Sequence, residues 1–222
     1  VEAMRTLGLA GMSVTMPHKA EVIPALDRVD SAAERLGAVN CIAVEGDELV
    51  GYNTDGDGFV ASLREEAGFD AADRRVAVIG AGGAARAIVD ALARAGAAEV
   101  LVVNRTRANA ERAAELAGAA GRVADPAEVA AADLVVNATS VGMSSSPGMP
   151  LDPACLHDGQ VVADIVMDPL RTELLSAARD RGARTVGGLG MLVHQAAEAL
   201  TRLTGLPAPL DAMREGALAG RR

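Results

Sequence analysis

The chain contains no tryptophan, one tyrosine and two phenylalanines among 222 residues, although half of it is hydrophobic. Its core must therefore be built from Ala, Val, Leu and Met, and at this length it can bury a sizeable one as one large or two small domains. Cysteine is equally sparse. Cys41 and Cys155 lie in separate segments without metal-ligand spacing, and the three histidines are dispersed, so no metal site and no disulfide framework is expected. No apolar stretch has transmembrane length and no signal peptide is recognisable, which predicts a cytoplasmic protein with no membrane partner. Positive charge is also in deficit. The formal net charge of −9 argues against nucleic acid as a partner. Of the 21 basic residues, only Lys19 is a lysine.

What the chain does contain is organised around residues 76–106. Val76-Ala-Val-Ile79 is a short apolar run bounded by glycine and reads as a buried parallel strand. Gly80-Ala81-Gly82-Gly83-Ala84-Ala85 follows, then Ile88, Leu92 and Ala95 at roughly helical spacing, then a second strand at 100–103. Strand, glycine turn, helix and strand within about thirty residues is the context that a dinucleotide fingerprint requires. Gly80 allows the tight turn. Gly82 lets backbone approach a pyrophosphate at the helix N-terminus, where free amides and the helix dipole favour negative charge. The second strand runs into Asn104-Arg105-Thr106, with no acid before Glu111. A cation there suits the 2′-phosphate of NADP, whereas NAD binders usually carry an acid.

Around this unit the chain alternates strand and helix, as a doubly wound parallel sheet does. Upstream, the pattern predicts a helix near residues 1–10, a strand at 12–16 and a helix from His18 to about 26. A helix over 31–36, capped by Asp30 or Ser31, is followed by a hairpin of 39–44 with 49–52, and by a helix from about 58 to 67. Downstream it predicts helices at 109–117, 129–132, 172–181 and 191–204, and strands at 133–139, 161–166 and 184–186. A final helix follows Pro207 and Pro209. The expected division is 1–55 for a substrate unit, 56–188 for an NADP-binding unit, and 189–222 for helices that return to the first. The fold class is α/β, a Rossmann-like sheet with a smaller α/β domain built from both chain ends.

A nicotinamide accepts hydride, so the protein must supply the proton acceptor for an alcohol becoming a ketone. A Tyr-x-x-x-Lys pair is excluded because no lysine lies near Tyr52. Lys19, after Thr-Met-Pro-His, is an amine in a chain that otherwise writes arginine; it reads either as a proton carrier or as a surface residue of no consequence. Asp55, in Asn53-Thr-Asp-Gly56, reads either as a functional carboxylate or as part of an ordinary turn. Asn40 and Gln195, both in largely apolar segments, are similarly open.

Seven ordered motifs are carried by these segments. They are Ser13-Val-Thr-Met-Pro-His-Lys19, Gly37-Ala-Val-Asn40, Gly51-Tyr-Asn-Thr-Asp-Gly-Asp-Gly-Phe59, Gly80-Ala-Gly-Gly-Ala-Ala85, Asn104-Arg-Thr106, Asn137-Ala-Thr-Ser-Val-Gly-Met143 and Gly188-Leu-Gly-Met-Leu-Val-His-Gln195. In order and spacing the chain resembles the shikimate dehydrogenase family over essentially its whole length. The resemblance implies an NADP-dependent reduction of 3-dehydroshikimate to shikimate, a step toward chorismate and the aromatic amino acids, by a monomer or homodimer. It implies Lys19 and Asp55 as the catalytic pair, with Ser13, Thr15, Asn40, Met167 and Gln195 at the substrate. It further implies Gly80, Ala81, Gly82, Gly83, Ala84, Asn104, Arg105, Thr106, Thr139, Ile165 and Gly188 at the cofactor.

The chain departs from the family pattern in places. Family members usually begin with an earlier strand carrying a Ser-x-Ser pair that grips the substrate carboxylate, and none precedes Val1. The resemblance thus predicts a substrate sheet without its first strand, and weak handling of shikimate. Ser13 replaces a common Asn, Met167 a usual Tyr, and Asn109 a second basic residue near the 2′-phosphate. These departures leave quinate or an amino analogue as alternative substrates. A non-catalytic NADP-binding module is the alternative from a different class.

Overall fold

The computed structural model describes residues 1–15 and 17–220, which fold around two sheets. The first is four-stranded, in the order β1-β3-β4-β2, with β1 (Gly11–Ser13), β2 (Arg28–Val29), β3 (Cys41–Glu45) and β4 (Glu48–Tyr52). β3 and β4 form the expected hairpin, and β1 pairs antiparallel with β3. The second is six-stranded and parallel throughout, in the order β10-β9-β8-β5-β6-β7. Its strands are β5 (Arg75–Ile79), β6 (Glu99–Val103), β7 (Gly121–Val123), β8 (Leu134–Asn137), β9 (Val161–Asp164) and β10 (Arg184–Gly187). The order reverses at β5, so the crevice between the carboxyl ends of β5 and β8 is the topological switch point where such sheets bind ligands.

β5 shows why its sequence is continuously apolar. Val76 and Val78 enter the core on one face of the sheet, and Ala77 and Ile79 enter the core on the other. Helices cover both faces, as a parallel sheet demands. They include α3 (Asp55–Ala67), α4 (Gly83–Arg94), α5 (Arg107–Ala114), α6 (Glu173–Asp180) and α7 (Gly188–Thr204). Ala85, Ile88 and Leu92 of α4 are fully buried. α1 (Ala3–Thr6) and α2 (Ser31–Leu36) belong to the four-stranded layer, where the Asp30 side chain caps α2 by accepting from the Ala32 amide. α8 (Leu210–Ala219) packs on α7. α7 lies against α3 and also reaches β1 and β3, so the last long helix bridges the two sheets.

Several expected elements are corrected. No α-helix starts at His18: residues 17–22 form turns, and only Ile23–Ala25 is helical, as one 3₁₀ turn. Pro24 explains the failure, because it has no N–H for Ala20 and its ring would meet that carbonyl. The strand expected over 12–16 is confined to Gly11–Ser13, and Met16 lies outside the described residues. α3 begins at Asp55 rather than residue 58, and α7 at Gly188 rather than 191. The helix expected over 109–117 is α5 followed by 3₁₀ turns to Ala120. The short strands β2 and β7 were not anticipated. No helix among the described residues is long and apolar enough to cross a membrane.

Candidate active site

The Asn53-Thr54-Asp55 corner is where the first sheet hands over to α3. Asn53 Oδ1 accepts from the Asp55 amide at 3.1 Å, while its Nδ2 donates to the Ala38 carbonyl at 3.0 Å. The corner is thereby tied to the segment that precedes β3. Asn40, at the head of β3, closes the arrangement. Its Nδ2 donates to Thr54 Oγ1 at 3.0 Å and to Asp55 Oδ1 at 2.9 Å, and its Oδ1 accepts from the Thr54 amide at 2.9 Å. Thr54, wholly buried, sends its hydroxyl to the main-chain oxygen of Gln195 on α7 at 2.9 Å. Thr54 was absent from the expected site residues. The signal was its place inside the Asn-Thr-Asp motif, but nothing local announces a hydroxyl whose partner is 141 residues away.

Lys19 arrives from the turn after β1. Its backbone oxygen accepts from the Val39 amide at 2.8 Å, and its Nζ donates to Asp55 Oδ2 at 2.7 Å. The ion pair is partly shielded, with side-chain exposures of 26% and 12%. Asp55 also opens α3, where the helix dipole favours a carboxylate. The amine is therefore held from one side by a carboxylate that Asn40 fixes from the other, and it borders a cleft.

That cleft is a cavity of about 370 Å³. The structure brings into its wall every expected substrate residue: Ser13, Thr15, Asn40, Met167 and Gln195, together with Lys19 and Asp55. Three of the expected cofactor residues, Ala84, Ile165 and Gly188, line the same cavity. The cavity thus abuts the start of α4 on one side and the start of α7 on the other. Gly188 is wedged against the chain: a Cβ there would lie 2.5 Å from the Ile165 carbonyl oxygen.

A separate groove of about 710 Å³ runs along the carboxyl ends of β5, β6 and β8 and is lined by Gly80, Asn104, Arg105, Thr106 and Thr139. Ala81, Gly82 and Gly83 line neither space; Ala81 and Gly82 join Gly80 to α4, and Gly83 is its first residue. Gly80 adopts φ +118, and a Cβ on it would meet the Ala138 carbonyl at 2.6 Å, so only glycine fits there. Among the described residues, nothing lies within 4 Å of a Cβ built on Gly82 or Gly83, and no side chain caps α4. The first amides of α4 are left open, as a diphosphate cradle needs. Arg107 pairs with Glu111 at 2.9 Å, whereas Arg105 has no ion-pair partner among the described residues. No group of three His, Cys, Asp or Glu among the described residues is arranged to hold a metal.

Residues 1–42 match the family model of the shikimate dehydrogenase substrate binding domain, 62–144 that of shikimate / quinate 5-dehydrogenase, and 188–217 that of the shikimate 5′-dehydrogenase C-terminal domain. The NADP(+) shikimate dehydrogenase of Moorella thermoacetica is 49% identical over 224 residues, covering 95% of this chain and 75% of the relative. The chain belongs to the shikimate dehydrogenase family. Among solved structures it is similar to a quinate dehydrogenase from Corynebacterium glutamicum in complex with NAD. That match has a TM-score of 0.92 and 36% identity, and covers 98% of this chain and 80% of the other. It is also similar to a shikimate 5-dehydrogenase from Thermus thermophilus in complex with NADP(H) and shikimate, at TM-score 0.89 and 36% identity, covering 98% and 81%. The two-sheet architecture is thus that of the shikimate dehydrogenase family.

Proposed function

We propose that this protein is an NADP-dependent oxidoreductase that interconverts shikimate and 3-dehydroshikimate, with Lys19 and Asp55 as its acid–base pair. The observation that carries the reading is the 2.7 Å contact between Lys19 Nζ and Asp55 Oδ2 in a cleft that adjoins the glycine loop. Relatives that bear the name NADP(+) shikimate dehydrogenase at 46–49% identity support it. In this reading residues 1–55 and 189–222 form the substrate unit, and residues 56–188 the NADP-binding unit.

NADP fits the residues present: the uncapped start of α4 would take the diphosphate and Arg105, with Asn104 and Thr106, the 2′-phosphate. Bound there, the cofactor supplies the hydride or accepts it. In the reducing direction the substrate carbonyl becomes an alkoxide as its carbon gains hydride, and Lys19 Nζ gives that oxygen a proton. In the oxidising direction the amine takes the hydroxyl proton as the hydride leaves. The Asp55 carboxylate orients Nζ and balances the ammonium. Thr15, Asn40 and Gln195 supply neutral donors and acceptors for the ring hydroxyls, and Ser13 and Met167 bound the ring.

The test is NADPH formation from NADP with shikimate, compared with quinate and with NAD as cofactor. Turnover of shikimate with NADP, lost in Lys19→Ala, is the expected result. Binding of NADP without turnover of either substrate would leave a dinucleotide-binding module instead, and preference for quinate would reassign the substrate.

A further inference from the structure

Asp164, the last residue of β9, is 1% exposed and takes no part in the acid–base arrangement. Burial pushes its carboxyl pKa up, and hydrogen bonds from Thr172, Val166 and Asn137 oppose the rise without cancelling it. A carboxylate this deep must be fully satisfied or it costs stability. Asp164 Oδ1 accepts from Asn137 Nδ2 and from the Val166 amide, each at 3.0 Å, and Oδ2 accepts from Thr172 Oγ1 at 2.7 Å.

Each of these partners is itself attached to something at a ligand site or a helix end. Val166 stands between Ile165 and Met167, both in the wall of the cleft. Asn137 ends β8; its Nδ2 also donates to the Val141 carbonyl at 2.9 Å, and its Oδ1 accepts from the Thr139 amide at 3.1 Å and hydroxyl at 2.7 Å. Thr139 and Val141 line the long groove. Thr172 caps α6 by accepting from the Leu175 amide at 3.2 Å. Asn137 and Asp164 are also the last pair in the parallel register of β8 and β9. Where the sheet ends, side chains take over the pairing.

We propose that Asp164 is a positioning residue whose carboxylate holds the 165–167 segment at the cleft and, through Asn137, the 139–141 turn at the groove, so that the two ligand sites keep one spacing. The inference rests on reading the cleft as the substrate site and the groove as the cofactor site. Hydride transfer demands that spacing, because a misplacement on the order of 1 Å costs about a hundredfold in rate. Position rather than charge is what the residue supplies. Asparagine in its place keeps an oxygen toward Asn137 and Val166 and turns its amide toward Thr172, whose oxygen can accept.

The experiment compares Asp164→Ala and Asp164→Asn, with Thr172→Val and Thr172→Ser as a second pair. It reads melting temperature, the Kd of NADP by direct titration, and the KM of NADP and of shikimate. Asp164→Ala is expected to lower kcat, read from the same kinetics, by about a hundredfold and to raise both KM values and the NADP Kd, with Asp164→Asn and Thr172→Ser close to the unaltered protein. A folded Asp164→Ala in which both KM values hold, or in which only one moves, overturns the proposal. So does an Asp164→Asn as impaired as Asp164→Ala. Should Asp164→Ala not fold, Thr172→Val decides, since it leaves Oδ2 without its donor; unchanged KM values there overturn the proposal as well. The NADP Kd needs no turnover. If the unaltered protein fails to oxidise shikimate, the functional reading falls, and a Kd that rises in Asp164→Ala still upholds the link to the groove, while one that does not move overturns it.

Discussion

Gly58 of α3 and Gln195 of α7 approach until no side chain fits between them. A Cβ on Gly58 would lie 2.6 Å from the Gln195 amide nitrogen and 2.7 Å from its Cβ. The obstacle is main chain and cannot rotate away. Gly58→Ala is therefore expected to cost about 1–3 kcal/mol of stability despite alanine's better helix propensity. By pushing α7 outward it also raises the KM for shikimate while leaving NADP binding intact. Denaturant unfolding and steady-state kinetics check it. An alanine variant of full stability and unchanged KM would show that the two helices are free to separate.

Lys19→Gln removes the titratable amine while keeping a polar chain. The expected loss in kcat is on the order of 10²–10⁴, with the Kd of NADP unchanged. Lys19→Arg is expected not to restore turnover, because a guanidinium keeps its proton. Rates within a few-fold of the unaltered enzyme in either variant would remove Lys19 from the chemistry.

Arg105 lies between β6 and α5 and Arg107 opens α5, yet of the two only Arg107 has an ion-pair partner among the described residues, Glu111. Arg105→Ala is expected to weaken NADP by about tenfold or more, the worth of a charge-assisted hydrogen bond, and to leave NAD binding unaltered. Arg107→Ala changes little. Titration of both variants with both dinucleotides checks this, and equal losses for NAD and NADP would contradict it.

Asp90 on α4 has a nearly buried side chain, with Arg35 of α2 at 2.8 Å and Arg94 at 2.8 Å. Arg35–Asp90 is the one ion pair among the described residues that joins residues 1–53 to residues 75–187. Burial alone would raise the Asp90 pKa, but the hydrogen bonds from Arg35 and Arg94 outweigh it, so the folded-state value lies below the ordinary 3.8. A depressed carboxyl pKa contributes stability that is complete above the unfolded-state value and is lost as pH falls through the folded-state one. Asp90→Asn is expected to cost about 1.5–3 kcal/mol at pH 7, with the deficit shrinking only below about pH 4. Unfolding midpoints measured from pH 3 to pH 7 test it. A deficit that does not vary with pH would assign the effect to packing instead.

Cys41 is fully buried on β3, and burial pushes its thiol up to about 11. Iodoacetamide at pH 8 is expected to label Cys155 and spare Cys41 in the folded protein, with activity retained. Mass spectrometry of the labelled protein reads this directly, and labelling of Cys41 with loss of activity would show it to be accessible and needed for turnover.

Much of the architecture was legible because its signals are local. The run at 76–79, the glycines after it and the apolar spacing of Ile88 and Leu92 fix strand, turn and helix within a few residues of each other. The hairpin around residues 45–48 is of the same kind. What could not be read depends on distant partners. Thr54 looks like any threonine until Gln195 arrives, and Asp164 looks like the polar end of an apolar strand until Asn137 and Thr172 close on it. The short β2 and β7 exist only through their neighbours, pairing with β4 and β6. The helix expected from His18 is a different case, because its breaker, Pro24, is itself local and visible in the sequence.

The hydrogen bond from Thr54 to Gln195 has a consequence for the order in which this molecule can be made. Synthesis delivers Lys19, Asn40 and Asp55 first, then every strand of the six-stranded sheet, and α7 only after β10 is complete. A nascent chain stopped at Gly187 would already hold the glycine loop and Arg105, while the Thr54 hydroxyl still faced water. The residues of the long groove are therefore all made before α7 adds Gly188, Met191, Leu192 and Gln195 as the last side of the cleft.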